Sequence, residues 1–178
     1  MSIRGEADRL LERTGLMDVL RPFGAVAIVG SYSMDLMAWN DLDVYVDAGD
    51  WTVERYCDVL GAVAKAVQPV RVDGFQDAAQ GRYFIGMETM ITGQRWNIDI
   101  WGRSTAEIAD AQRSNAEMKR RFDADPELRS ALVRIKQGLI ARGMYGFDKG
   151  AKHYHSPEIY RAVLDEGVRT TEEFLRGR

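Results

Sequence analysis

The segment Asp41-Leu42-Asp43-Val44-Tyr45-Val46-Asp47 constrains this chain more than any other stretch of it. Apolar and polar residues alternate through it, and successive side chains of a β-strand point to opposite faces. Leu42, Val44 and Val46 therefore share one face, while Asp41, Asp43, Tyr45 and Asp47 share the other. The apolar face needs a core to pack against, and the acidic face needs water or a cation. With 178 residues, 46% hydrophobic and 29% charged, the chain can build that core in one ordinary domain, or in a compact α/β unit with a helical extension.

Changes of period set the elements on either side. Residues 5–20 place Ala7, Leu10, Leu11, Met17 and Leu20 near helical spacing, interrupted at Gly15 and stopped before Pro22. The run AVAIVG at 25–30 is short, apolar and β-branched, and predicts a buried strand entering a turn at Gly30-Ser31. A short helix is expected from Ser33 to Trp39. Trp51, Tyr56, Leu60, Val63 and Val67 recur at helical spacing ahead of Pro69, with an extended piece near 70–75. Residues 81–101 predict a hairpin turning around Ile91-Thr92-Gly93-Gln94, whose second arm alternates Trp96, Ile98 and Ile100 with Asn97, Asp99 and Trp101. From Ser104 the strand pattern stops, and helices are expected over 104–121, 126–142 and 157–176. The expected fold is α/β (α+β). A core of residues 1–103 holds a small mixed sheet flanked by helices, and a helical C-terminal region, 104–178, packs on it as one compact unit.

Three features in this order carry chemistry. Residues i and i+2 of a strand face the same way, so Asp41 and Asp43 can offer oxygens to the same hard cations, and Asp99 can complete the set. Carboxylates gathered without a cation repel one another and hold a proton to higher pH. Magnesium is the natural occupant, since two ions roughly 3.5–4 Å apart clamp an in-line displacement at phosphorus. Gly30 lets backbone approach a phosphate closely, a helix N-terminus beyond it offers unpaired N–H groups, and Ser31 and Ser33 add hydroxyls. This is not a Walker A loop: G-x-x-x-x-G-K-[ST] follows none of the apolar strands, and no lysine occurs between Gly30 and Lys65.

Val29-Gly30-Ser31, nine intervening residues, Asp41-Leu42-Asp43-Val44 and the later Asp99 within RWNIDIW resemble the signature of the polymerase-β-like nucleotidyltransferase superfamily. The hairpin before Asp99 is similar to that of small bacterial antibiotic nucleotidyltransferases of the lincosamide and aminoglycoside type. The likeness covers residues 24–101. It implies that Asp41 and Asp43 bind two Mg2+ ions, that Asp99 ligates one and serves as general base, and that Gly30 and Ser31 hold the terminal phosphates of an NTP. The implied reaction moves an NMP group from the NTP, ATP in the first instance, to a hydroxyl of an unidentified small-molecule or protein acceptor, releasing pyrophosphate. Many bacterial relatives carry Gly-Ser-x-Ala-x-Gly with an arginine in the loop. Here Gly-Ser-Tyr-Ser-Met-Asp stands instead, with no basic residue between Arg21 and Arg55. Arg82 and Arg95 in or beside the hairpin, and Lys136 or Lys152 from the helical half, are therefore the expected counter-charges for the triphosphate. Two other functions use the same residues: a non-catalytic nucleotide-binding or toxin–antitoxin-like regulator, and a two-metal phosphodiester hydrolase.

A net charge of −3 advertises neither a nucleic-acid nor a membrane surface, although residues 1–103 are the more acidic part and the remainder is slightly basic. The N-terminus lacks the apolar run of a secretory signal and no stretch reaches the length of a membrane span, so a soluble cytoplasmic protein is expected. Cys57 has no partner for an internal disulfide and is expected as a small buried thiol on a helix. His153 and His155 lack a third Cys or His nearby to finish a zinc site, and are expected in loop or capping roles. Met34, Met37 and Trp39 are expected to pack, Asp47 to be solvated surface, and Lys119-Arg120-Arg121 to close a solvated helix.

Overall fold

The computed structural model describes residues 2–146 and 153–178. Two compact units divide the chain, Met1–Glu117 and Met118–Arg178, and the division falls inside one long helix, α5 (Thr105–Asp123). In the first unit the order is α1 (Ile3–Thr14), α2 (Leu16–Leu20), β1 (Val26–Val29), α3 (Gly30–Met34), β2 (Asp41–Asp47), α4 (Val53–Val67), β3 (Arg71–Asp77), β4 (Arg82–Ile91), β5 (Gln94–Arg103) and the start of α5. Gly15, at φ 60°, closes α1 and opens α2, so the interruption expected there is a break between two helices.

The five strands form one mixed sheet in the order β1-β2-β5-β4-β3. β2 and β5 run parallel; the other neighbours are antiparallel. The β4–β5 hairpin turns where Thr92 and Gly93 both take positive φ. Parallel neighbours need a crossover, and α4, β3 and β4 supply it. Leu42, Val44, Val46, Ile98, Ile100, Ile85 and Met87 face Ala7 and Leu10 of α1, Leu16 and Leu20 of α2, and Val59, Val63 and Val67 of α4. Fully burying one such aliphatic side chain contributes about 1.5–3 kcal/mol. On the opposite face, Ala27 and Val29 of β1 pack with Tyr45 beneath Ile108 and Ala111 of α5. The acidic and apolar faces of residues 41–47 thus fall as their alternation predicts.

The second unit holds the end of α5 with α6 (Pro126–Ala141), α7 (Ser156–Asp165) and α8 (Thr171–Arg176). Its core includes Phe122, Leu132, Ile135, Leu139, Ile159, Val163 and Phe174. His155 stands at the N-cap of α7, where its backbone N–H donates to Glu158 Oε2 at 2.9 Å. Lys119 and Arg121 pair with Asp123 and Asp165. No described helix is long and apolar enough to cross a membrane.

Four expectations change. The helix after Gly30-Ser31 is Gly30–Met34 rather than 33–39, because Asp35 turns left-handed at φ 57° and ends it. The last expected helix is two helices: Gly167, at φ 72°, breaks the direction, and Thr170 starts α8 with its hydroxyl accepting from Glu173 N. Cys57 is exposed, since Val59, Val63 and Val67 form the buried side of α4. Lys136 is buried and donates to the Tyr160 hydroxyl at 3.2 Å, its Nζ 4.8 Å from that ring's centroid, which removes it from the surface cations expected to meet a triphosphate. Lys152 lies outside the described residues.

Candidate active site

Because β2 and β5 are parallel and in register, Asp43 stands opposite Asp99 and Asp41 opposite Asn97. Strand parity gives these residues one common face, which reads across the sheet in rows. One row is Val29, Asp43, Asp99, Gly86 and Asp73; the next is Ala27, Tyr45, Trp101, Phe84 and Phe75. The alternation within each strand put the carboxylates on a polar face, and the crossover brings Asp99 to Asp43.

Burial, and after it the charge of Asp43, pushes the Asp99 carboxyl up from 3.8 to about 6. Two hard oxygen donors held together on one face have the donor chemistry that fits a divalent cation such as magnesium. Among the described residues no group of three or more His, Cys, Asp or Glu gathers as a metal-ligand set. The structure joins Asp43 to Asp99 and leaves Asp41 one row along the same face.

Gly30 leaves β1 at φ 64°, and a Cβ built on it would collide with Asp43 Oδ2 and lie 3.0 Å from Asp43 Cγ. The backbone of the Gly-Ser turn therefore rests directly on one of the carboxylates. Ser31 is buried. The Ser33 hydroxyl donates to the Gly30 carbonyl at 2.9 Å and accepts from Asn115 Nδ2 at 2.8 Å, so it braces the turn and ties it to α5.

From the other side α1 clasps the same turn. Arg4 Nη1 donates to the Tyr32 carbonyl at 2.6 Å, and its guanidinium lies 3.7 Å from the Tyr32 ring centroid. The Tyr32 hydroxyl donates to Asp8 at 2.7 Å; burial, then this bond, raises the phenol above its ordinary pKa. Arg4 is the basic residue at the turn that the linear order of the chain conceals, because no spacing motif links α1 to Gly30-Ser31. Arg82 and Arg95 share the face of Asp99 but stand four residues along their strands from its row, about 13 Å at a rise of roughly 3.3 Å per residue. They pair with Asp77 and Glu88, each at 2.9 Å.

The row beside the carboxylates is aromatic. Phe84 and Trp101 have ring centroids 4.4 Å apart, Phe75 and Phe84 5.8 Å, and Phe75 and Trp101 6.2 Å. The Arg103 guanidinium lies 4.9 Å from the Trp101 centroid and 5.5 Å from that of Tyr45. A signal for this row exists in the sequence, since Trp101 follows Asp99 at i+2 and shares its face.

No protein-family model matches the chain, and no curated protein does. Solved structures do match. The chain is similar to the non-canonical poly(A) polymerase complex GLD-2–GLD-3, at 11% identity and a TM-score of 0.63, with 92% of this chain and 54% of that chain covered. It is similar to the Cid1 poly(U) polymerase bound to Mg and 3′-dATP, at 14% identity and a TM-score of 0.62, covering 92% and 48%. A third likeness is to terminal uridylyl transferase 4 from Trypanosoma brucei, at 15% identity and a TM-score of 0.55, covering 90% and 51%. At such identities the likeness is one of fold: the mixed five-stranded sheet with flanking helices is that of these nucleotidyl-transferring polymerases. The chain spans about half the length of each.

Proposed function

We propose that this chain is a metal-dependent nucleotidyltransferase, moving an NMP group from an NTP to an acceptor hydroxyl and releasing pyrophosphate, with ATP the first donor to test. The observation that carries the reading is the Asp43–Asp99 pair, in register across parallel strands and set against the Gly30 backbone. It lies on a sheet whose fold is shared with poly(A) and poly(U) polymerases, one of them holding Mg and 3′-dATP. Asp43 and Asp99 would hold magnesium, with Asp41 contributing from the neighbouring row. Bound there, the metal would supply charge neutralisation at the attacked phosphate and the departing pyrophosphate.

The chain's own residues account for the remaining steps. Gly30 and Ser31 would receive the terminal phosphates, since no side chain separates the Gly30 backbone from Asp43. Arg4, Ser33 and Asn115 hold that turn in place. Asp99, opposite Asp43 on the shared face, would accept the proton of the acceptor hydroxyl. The acceptor oxygen bonds to the α-phosphorus as the bond to the bridging β-phosphate oxygen breaks, and pyrophosphate leaves. The acceptor is a small molecule or a protein side chain, and antibiotic modification is the instance brought by the sequence resemblance.

Incubation with each labelled NTP, magnesium and a cell extract, read by mass spectrometry, tests this reading. Pyrophosphate together with an NMP mass gain on one acceptor is the expected result, and it disappears in Asp43→Asn with the fold retained. Free NMP without an adduct identifies hydrolysis instead. Cellular function that survives the Asp41→Asn, Asp43→Asn double change sinks the enzymatic reading in favour of a nucleotide-binding regulator.

A further inference from the structure

From the aromatic row beside the carboxylates we infer that Phe75, Phe84 and Trp101 form a stacking floor for a planar ring carried by the acceptor. The acceptor is then a nucleoside-type or other aromatic alcohol, and not a saturated sugar or polyol. This specifies the acceptor of the reaction proposed above and rests on that reading.

Position is the first reason. The ring row lies two residues along β5 from Asp99, about 7 Å at a strand rise of roughly 3.4 Å per residue, and on the same face. A ring resting there places a hydroxyl a few bonds away beside the Asp99 carboxylate. Gly86 is the second. It stands opposite Asp99, and a Cβ on it would lie 3.0 Å from Phe84 Cζ and 3.6 Å from Asp99 Oδ1. The Phe84 ring thus leans over the glycine toward the carboxylate, and the missing side chain keeps the surface between ring and base low.

Exposure and charge decide the kind of occupant. The Tyr45 end of the row is packed with Ile108 and Ala111 of α5, whereas Phe75 at the other end is 45% exposed. Arg71, Arg82, Arg95 and Arg103, the cations that the described strands place on this face, are each paired with a carboxylate. A polyanion gains little there. A neutral ring gains stacking against Phe84 and Phe75, which tolerates any planar π-face.

Calorimetric titration of the full chain with adenosine, with tyrosol as a non-nucleotide aromatic alcohol, with sorbitol as a non-planar control and, separately, with MgATP tests the floor. Saturable binding of adenosine or tyrosol but not sorbitol is expected, weakened at least fivefold in Trp101→Leu and in Phe75→Leu. The latter changes an exposed ring, which keeps the test usable if a central-strand variant fails to fold. Adenosine alone identifies a nucleoside acceptor and tyrosol alone another aromatic; either supports the floor. Equal binding of sorbitol, no binding of either ring probe at millimolar concentration, or unchanged affinity in both variants overturns it. So does a loss confined to MgATP, which assigns the rings to the incoming nucleotide. These outcomes leave nucleotidyl transfer to its own assay: ring-dependent probe binding by a chain that transfers no NMP rejects the transferase reading and retains the ring site.

Discussion

Asp99 is a carboxyl whose folded-state pKa, about 6, stands above its ordinary 3.8, with burial the larger cause and Asp43 the smaller. Between those two values the folded protein binds more protons than the unfolded chain, so without metal its stability falls as pH rises through about 6. Asp99→Asn removes that buried charge. In EDTA at pH 7 the variant is expected to be more stable than the parent by about 1–2 kcal/mol, with the difference vanishing toward pH 4; urea melts across the range check the sign. The same change is expected to cut nucleotidyl transfer by roughly 10²–10⁴-fold, the contribution of a positioned general base. Gly30→Ala acts on the same centre by a different cause. Its φ of 64° and the collision with Asp43 both oppose a side chain, so a loss above about 1 kcal/mol in stability is expected together with loss of transfer.

Among the elements, α3 best shows how local pattern and packing part company. Met34, Met37 and Trp39 read as packing residues of one helix over 33–39; Met34 is buried and Met37 packs against the core, yet Asp35 ends the helix between them. What holds this short helix is tertiary: Arg4 and Asp8 of α1 on one side and Asn115 of α5 on the other. Arg4→Ala is expected to weaken NTP binding roughly tenfold while leaving the acceptor KM unchanged, because a charge-assisted hydrogen bond contributes about 1.5–3 kcal/mol. Steady-state kinetics with each substrate varied separately checks it. In the second unit, Thr170→Ala removes the cap that separates α8 from α7 and is expected to cost about 1 kcal/mol, read by thermal melting.

For the whole molecule, binding of Mg-NTP to the native state alone predicts a rise in stability of about 2.7 kcal/mol at a hundred times the Kd. That is a shift of about 5–11 °C in Tm for a chain of this size, reversed by EDTA and absent in Asp43→Asn. The residues that carry this expectation were legible to different depths in the sequence. Period two is a local property of a strand, so the chain by itself determined that Asp41 and Asp43 share a face and that Asp99 and Trp101 share another. Only the tertiary structure decided that those two faces are one, with Asp99 opposite Asp43, the rings aligned beside them, and Arg4 brought to a turn with no cation of its own. Register between strands far apart in the chain is set by which apolar faces can be buried together and by the crossover that joins them, and neither is written in any local window.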